Sequence, residues 1–394
     1  LTINRAALMV TAAANTKVYD STTSATTLAS ITGLQGSDVA SANEVYTTSN
    51  AGTGLTLVAS TPTFSSGLAS NYDITYVNST AGVITPAALT ITGNGTHVIY
   101  NAGVQSNGYT VKGLRGADTV TGVDGLASGT NVGTYADALA NASGTGLSNY
   151  DITYVNGALD IGKAALTITG STGSRVYDGV VHTNVYQTVG LQGNDVVTGV
   201  SGQASGKHAG TYADALANAS GTGLSNYDIT YVNGTMLITP ATLTVTGSNG
   251  HTTYNGIVQT NGSASVSGAQ GTDSFTVSGY ANGTNAGAYV DNLAVTGVGS
   301  TLLSDYSIVY NQGVLNVDRA NLTVTGADHT VAYNGSVQTN SGAVVKGAVG
   351  EDAFSIGGYA SGISAGAYTD ALTLAALGGA SLDNYNVDYR QGTL

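Results

Sequence analysis

The chain has 394 residues, of which 8% are charged, with a formal net charge of −13, 56 Gly, 24 Tyr, 3 Pro, and neither Cys nor Trp. Its 10 Lys and Arg are scattered singly, which removes the basic footprint that nucleic acid requires. The lack of cysteine excludes a disulfide framework and a thiolate metal site.

The charged fraction lies far below the roughly 25% of ordinary globular chains, so hydroxyls and amides must build the surface. With 42% apolar residues spread evenly, each stretch can still bury a small face and the chain is expected to fold. With 3 Phe, tyrosine must supply most of the aromatic core. No apolar run approaches the roughly 20 residues of a membrane-spanning helix.

In chain order, Leu1 to Asn4 reads as the last strand of a preceding module, so residues 1–5 are set apart. A strand opening with leucine then recurs at Leu8, Leu89, Leu166, Leu243 and Leu322, at intervals of 81, 77, 77 and 79 residues. A period of this kind defines the architecture. It divides the chain into five modules at 6–86, 87–162, 163–240, 241–318 and 319–394. The first is the most divergent, and the fifth stops at QGTL, short of its last strand. The expectation is an interior segment whose signal and anchor lie elsewhere, with strand addition from a neighbouring chain as the sharper reading of the incomplete end.

Within each module the order of landmarks is constant. A tyrosine follows the leucine by eleven residues, at Tyr19, Tyr100, Tyr177, Tyr254 and Tyr333, and Asp or Asn follows it. Next comes a Gly-x-x-Gly-x-Asp turn, beginning at Gly33, Gly113, Gly190, Gly268 and Gly347. A stretch such as NVGTYAD at Asn131 or HAGTYAD at His208 precedes the closing NYDITYVN at Asn71, Asn149 and Asn226, with variants at Asp305 and Asn384. Tyr72, Ile74 and Tyr76 alternate with Asp73, Thr75 and Val77, the period of a half-buried strand.

Strand-like runs separated by Gly, Asn and Ser clusters predict six or seven short antiparallel strands per module and no helix. The fold class is therefore all-β: five tandem small modules, sandwiches or β-grasp-like units, joined by linkers of two or three residues. Strands of about 17–20 Å predict a module of roughly 35 Å and an elongated rod well over 150 Å.

KVYD at Lys17 and RVYDG at Arg175 look like the motif of YDG-type repeats. NVGTY at Asn131 and NYDITYVNGTMLITP from Asn226 resemble the closing hairpin and linker of MBG-type repeats. Both repeat families occur in giant filamentous-haemagglutinin-like adhesins of Gram-negative bacteria. YNAG at Tyr100 and YNGI at Tyr254 depart from the YDG pattern. The resemblance implies a structural stalk at the bacterial surface, delivered by two-partner secretion or a related route, that extends an adhesive tip for attachment and biofilm formation. It brings no catalytic residues.

No catalytic constellation stands out. His97, His182, His208, His251 and His329 occupy different module positions and read as surface residues. The acid pairs Asp118 with Asp137, Asp195 with Asp214, Asp273 with Asp291, and Asp352 with Asp370 recur in turns and could approach one another as calcium ligands. Calcium wants several carboxylates gathered in one loop, so capping of turns is the preferred reading. Lys17, Lys112, Lys163, Lys207 and Lys346 shift position between modules and share no cross-link. The tyrosines read as core rather than sugar platforms. Sequons such as those at Asn94, Asn141, Asn218, Asn233 and Asn282 could accept sugar in a glycosylating secretion system but coincide largely with turns. No catalytic, cofactor or metal site is assigned. The expected partners are neighbouring modules, with host glycans or a second copy as alternatives.

Overall fold

A computed structural model describes residues 1–394. It is all-β, with 3-10 turns and no α-helix. The second module shows how the residues build the sheets. Its opening strand, Ala87–Gly93, buries Ala87, Leu89, Ile91 and Gly93 in strict alternation, as a period of two requires. It is the central strand of three, antiparallel to Tyr109–Lys112 and parallel to Tyr150–Val155. A second sheet centres on Ala158–Gly162, parallel to Gly95–Ile99 and antiparallel to Gly133–Ala136. Two smaller pairs complete the module, Gln105–Ser106 with Ser128–Gly129 and Thr119–Asp124 with Ala140–Thr145.

These sheets are mixed, where the sequence reading expects antiparallel pairing throughout. Parallel neighbours need a crossover rather than a tight turn, and the intervening meander of each module supplies it. The ten strands of the second module also exceed the six or seven expected, because two-residue strands such as Gln105–Ser106 carry no periodicity to read. The fourth module repeats the same pairings, around Ala241–Gly247 and Val314–Asp318. In the first module the strands instead join into one eight-stranded sheet.

The residues fall into two compact units: Leu1–Ile168 with Gln187–Ser201 and Ala217–Val232, and Thr169–Tyr186 with Gly202–Leu216 and Asn233–Leu394. The division runs through the third module, and the hydrophobic cores explain why. In the first unit one core joins Tyr19, Tyr46, Leu57 and Ile84 of the first module to Leu89, Val111, Leu114 and Tyr150 of the second. In the second unit one core joins Tyr177, Met236 and Ile238 to Leu243, Leu293 and Tyr306, and another joins Tyr254, Leu315 and Val317 to Leu322, Phe354 and Tyr385. Apolar faces too small to close within one module are buried against the next.

Candidate functional site: the module junctions

The YDG-like motif is an Asx turn. Asp20, Asn101, Asp178, Asn255 and Asn334 each accept, through the side-chain oxygen, the N–H of the residue two positions on. The residue between lies in the left-handed region, with φ of 67° at Ser21, 64° at Ala102 and 80° at Gly179. Asp and Asn favour such turns, and glycine favours such a φ. The tyrosine preceding the turn is buried at Tyr19, Tyr100, Tyr177 and Tyr254, each 2–7% exposed.

The Gly-x-x-Gly-x-Asp turn supplies its partner. In the second module the N–H of Asp118 donates to the carbonyl of Arg115, and Gly116 takes φ 55°. The N–H of Arg115 donates to the hydroxyl of Tyr150 at 2.7 Å, and that hydroxyl donates to Asp118 Oδ2 at 2.7 Å. The same Oδ2 accepts a second hydroxyl, from Tyr19 of the preceding module, at 2.8 Å. One carboxylate thus ties together two tyrosines from two modules.

The node recurs at each junction. Asp195 accepts Tyr100 and Tyr227, both at 2.8 Å. Asp273 accepts Tyr177 at 2.9 Å and Tyr306 at 2.6 Å. Asp352 accepts Tyr254 at 2.8 Å and Tyr385 at 2.6 Å. The two rings of each node meet edge to face at 5.4–5.5 Å, the favourable quadrupolar arrangement.

Burial, then the Asp118 carboxylate, pushes the Tyr19 hydroxyl up to about 12. Burial and the neighbouring aspartate also raise Tyr306 and Tyr385 to about 12. At Asp273 burial opposes ionisation, but the hydroxyls of Tyr306 and Tyr177 win and hold the carboxyl below its ordinary range. The Asp273 node is therefore an ionised aspartate with two neutral phenols.

The second acid of each sequence pair serves a different node. Asp137 accepts the N–H groups of Ala127 at 2.7 Å and Gly157 at 3.0 Å, and the amide of Asn107 at 2.8 Å. Asp214, Asp291 and Asp370 repeat this pattern with Ala204, Ala281 and Ala360. The paired acids thus take separate partners, and no group of three or more His, Asp or Glu side chains converges.

The histidines are less uniform than the sequence reading supposes. His97 and His251 are exposed beside Asp160 and Asp318, but His182 is only 19% exposed against Asp178. His208 lies 2.7 Å from Asp305, a carboxylate with no exposed surface. Lys17 is held by Asp20 and Thr22. Asn141 and Asn218 lie in the strands Ala140–Thr145 and Ala217–Gly221 rather than in turns, exposed at φ 49° and 48°.

The sequence reading names Tyr19, Tyr100, Tyr177 and Tyr254, and Asp118, Asp195, Asp273 and Asp352, without joining them. Their recurrence at fixed module positions is the signal that could have done so. Tyr333, the fifth member, is 68% exposed.

Residues 4–81 match the YDG domain, and residues 89–160 match the MBG domain (YGX type). The chain therefore carries both domain types. No curated protein matches it.

Proposed function

We propose that this chain is the structural repeat region of a bacterial cell-surface adhesin, a stalk that extends an adhesive tip for attachment and biofilm formation. The observation that supports this reading is the four-fold recurrence of the Tyr–Asp–Tyr node across a buried core. Bending one module against the next would expose apolar surface at about 25 cal/mol per Å² and pull two tyrosine hydroxyls off a carboxylate. The residues are spent on joining neighbours, and the node tyrosines are consumed as core, while Tyr76, Tyr310, Tyr333 and Tyr389 stay exposed. An extracellular location on the outer surface of a Gram-negative cell follows from the same reading.

The test measures the purified chain in two ways. Stretched as single molecules, it should give successive unfolding steps, each releasing the roughly 250–280 Å contour of about 77 residues. Presented to glycan arrays and host cells, it should bind at background level. Specific, saturable glycan binding would move the adhesive function into the modules themselves and sink the stalk reading.

A further inference from the structure

Beside each Tyr–Asp–Tyr node a second pair of positions faces across the boundary. In the first unit, Asn149 accepts the N–H of Ala51 at 2.8 Å and donates to Asn50 at 3.4 Å. Asn226 likewise accepts from Val132 at 2.9 Å and donates to Asn131 at 3.2 Å. In the second unit, Asn384 accepts from Ala286 at 2.8 Å and donates to Asn285 at 3.1 Å. Three junctions are closed by asparagine against asparagine.

At the junction between the third and fourth modules both positions change together. His208 stands where the others have Asn50, Asn131 and Asn285, and Asp305 where they have Asn149, Asn226 and Asn384. His208 Nδ1 lies 2.7 Å from Asp305 Oδ2, and Asp305 Oδ1 accepts the N–H of Ala209 at 2.7 Å. The ring of Tyr177 stacks on His208 at 6.4 Å and 16°. The third module thus offers His208 to a face that offers Asp305.

We infer that His208 and Asp305 form a hydrogen-bonded key that specifies the third and fourth modules as neighbours. The physical need is visible in the sequence. The second and third modules close on the same NYDITYVNG at Asn149 and Asn226, and near-identical repeats invite misassembly. Discrimination against a wrong partner is achieved by leaving a desolvated polar group unpaired there. Asp305 has no exposed surface, and opposite His208 its Oδ2 meets a ring nitrogen at 2.7 Å, a partner that Asn50, Asn131 or Asn285 does not supply.

Hydrogen exchange on the full chain tests this at the amide of Ala209, with the amide of Val132 as the reference. His208→Asn and Asp305→Asn should each speed exchange of Ala209 by roughly tenfold, within the coupling range of contacting residues, and leave Val132 unchanged. The double variant recreates the asparagine pair of the other three junctions and should return Ala209 to within about threefold of the parent, inside that same range. The transplant gives the converse: Asn226→Asp alone should loosen Val132, and adding Asn131→His should restore it. Single variants without effect, a double variant with the summed loss of both singles, or a transplant that Asn131→His fails to rescue would each overturn the key.

Discussion

At the scale of single residues, the junction rests on a carboxylate that would be costly to bury alone and a phenol that would be costly to bury unbonded. Each satisfies the other. Hydrogen bonds to a charged group contribute about 1.5–3 kcal/mol, so Tyr100→Phe should destabilise the junction it shares with Asp195 by about 2 kcal/mol in denaturant unfolding. Asp195→Ala strands two hydroxyls, those of Tyr100 and Tyr227, and should cost about 3 kcal/mol or more by the same measurement.

The raised tyrosines also set an alkaline limit. A phenol whose folded-state value is raised stabilises the fold fully below its ordinary value near 10 and loses that contribution as pH climbs through the folded value. With Tyr19, Tyr227, Tyr306 and Tyr385 held up to about 12, stability should fall between pH 10 and 12. The last tyrosines to ionise should do so in step with loss of the β-sheet signal. Ionisation of all the tyrosines with the sheets intact would show that the nodes are open to water.

At the scale of elements, what reads as one module is two half-modules facing opposite ways along the chain. Leu243 begins the fourth module in sequence but packs in a core with Tyr177, Met236 and Ile238 of the third. It has no exposed surface, so Leu243→Ala should cost about 2–5 kcal/mol. The loss of hydrogen-exchange protection should extend to the strand Thr235–Thr239 of the third module as well as Ala241–Gly247 of the fourth. Loss confined to the fourth module would mean that the two fold independently.

The strands themselves were legible beforehand, since residues 89–92 and 150–154 alternate apolar and polar side chains. Their partners were not. Alternation shows which face of a strand is buried, and nothing in it distinguishes a parallel neighbour from an antiparallel one, so the parallel pairing of Leu89 with Ile152 had no signature. His208 was similarly opaque: in a list of five histidines it looks like a surface residue, and only its alignment with Asn131 and Asn285, read together with Asp305, marks it.

At the scale of the whole molecule, stability in a repeat array is a sum of module terms and nearest-neighbour interface terms, and here the interface terms contain the cores. Residues 163–240 made alone should therefore be largely unfolded, whereas residues 163–318, which contain the complete core around Tyr177, Leu243 and Tyr306, should unfold cooperatively. Circular dichroism melts of the two pieces decide this, and a well-folded single module would remove the argument that neighbours are obligatory. The rod expected from the short linkers, longer than roughly 150 Å, is a matter for small-angle scattering, and a compact particle would exclude a stalk.

The sequence by itself determined the period, the all-β class, the order of landmarks and the likeness to YDG and MBG domains, because these depend on residues near one another and on composition. The tertiary structure alone decided that Tyr19 bonds Asp118, 99 positions away, and that each core closes across a repeat boundary. A repeating pattern announces that its faces must be buried, but whether a face meets its own module or the next depends on the direction in which strands far apart in sequence are paired.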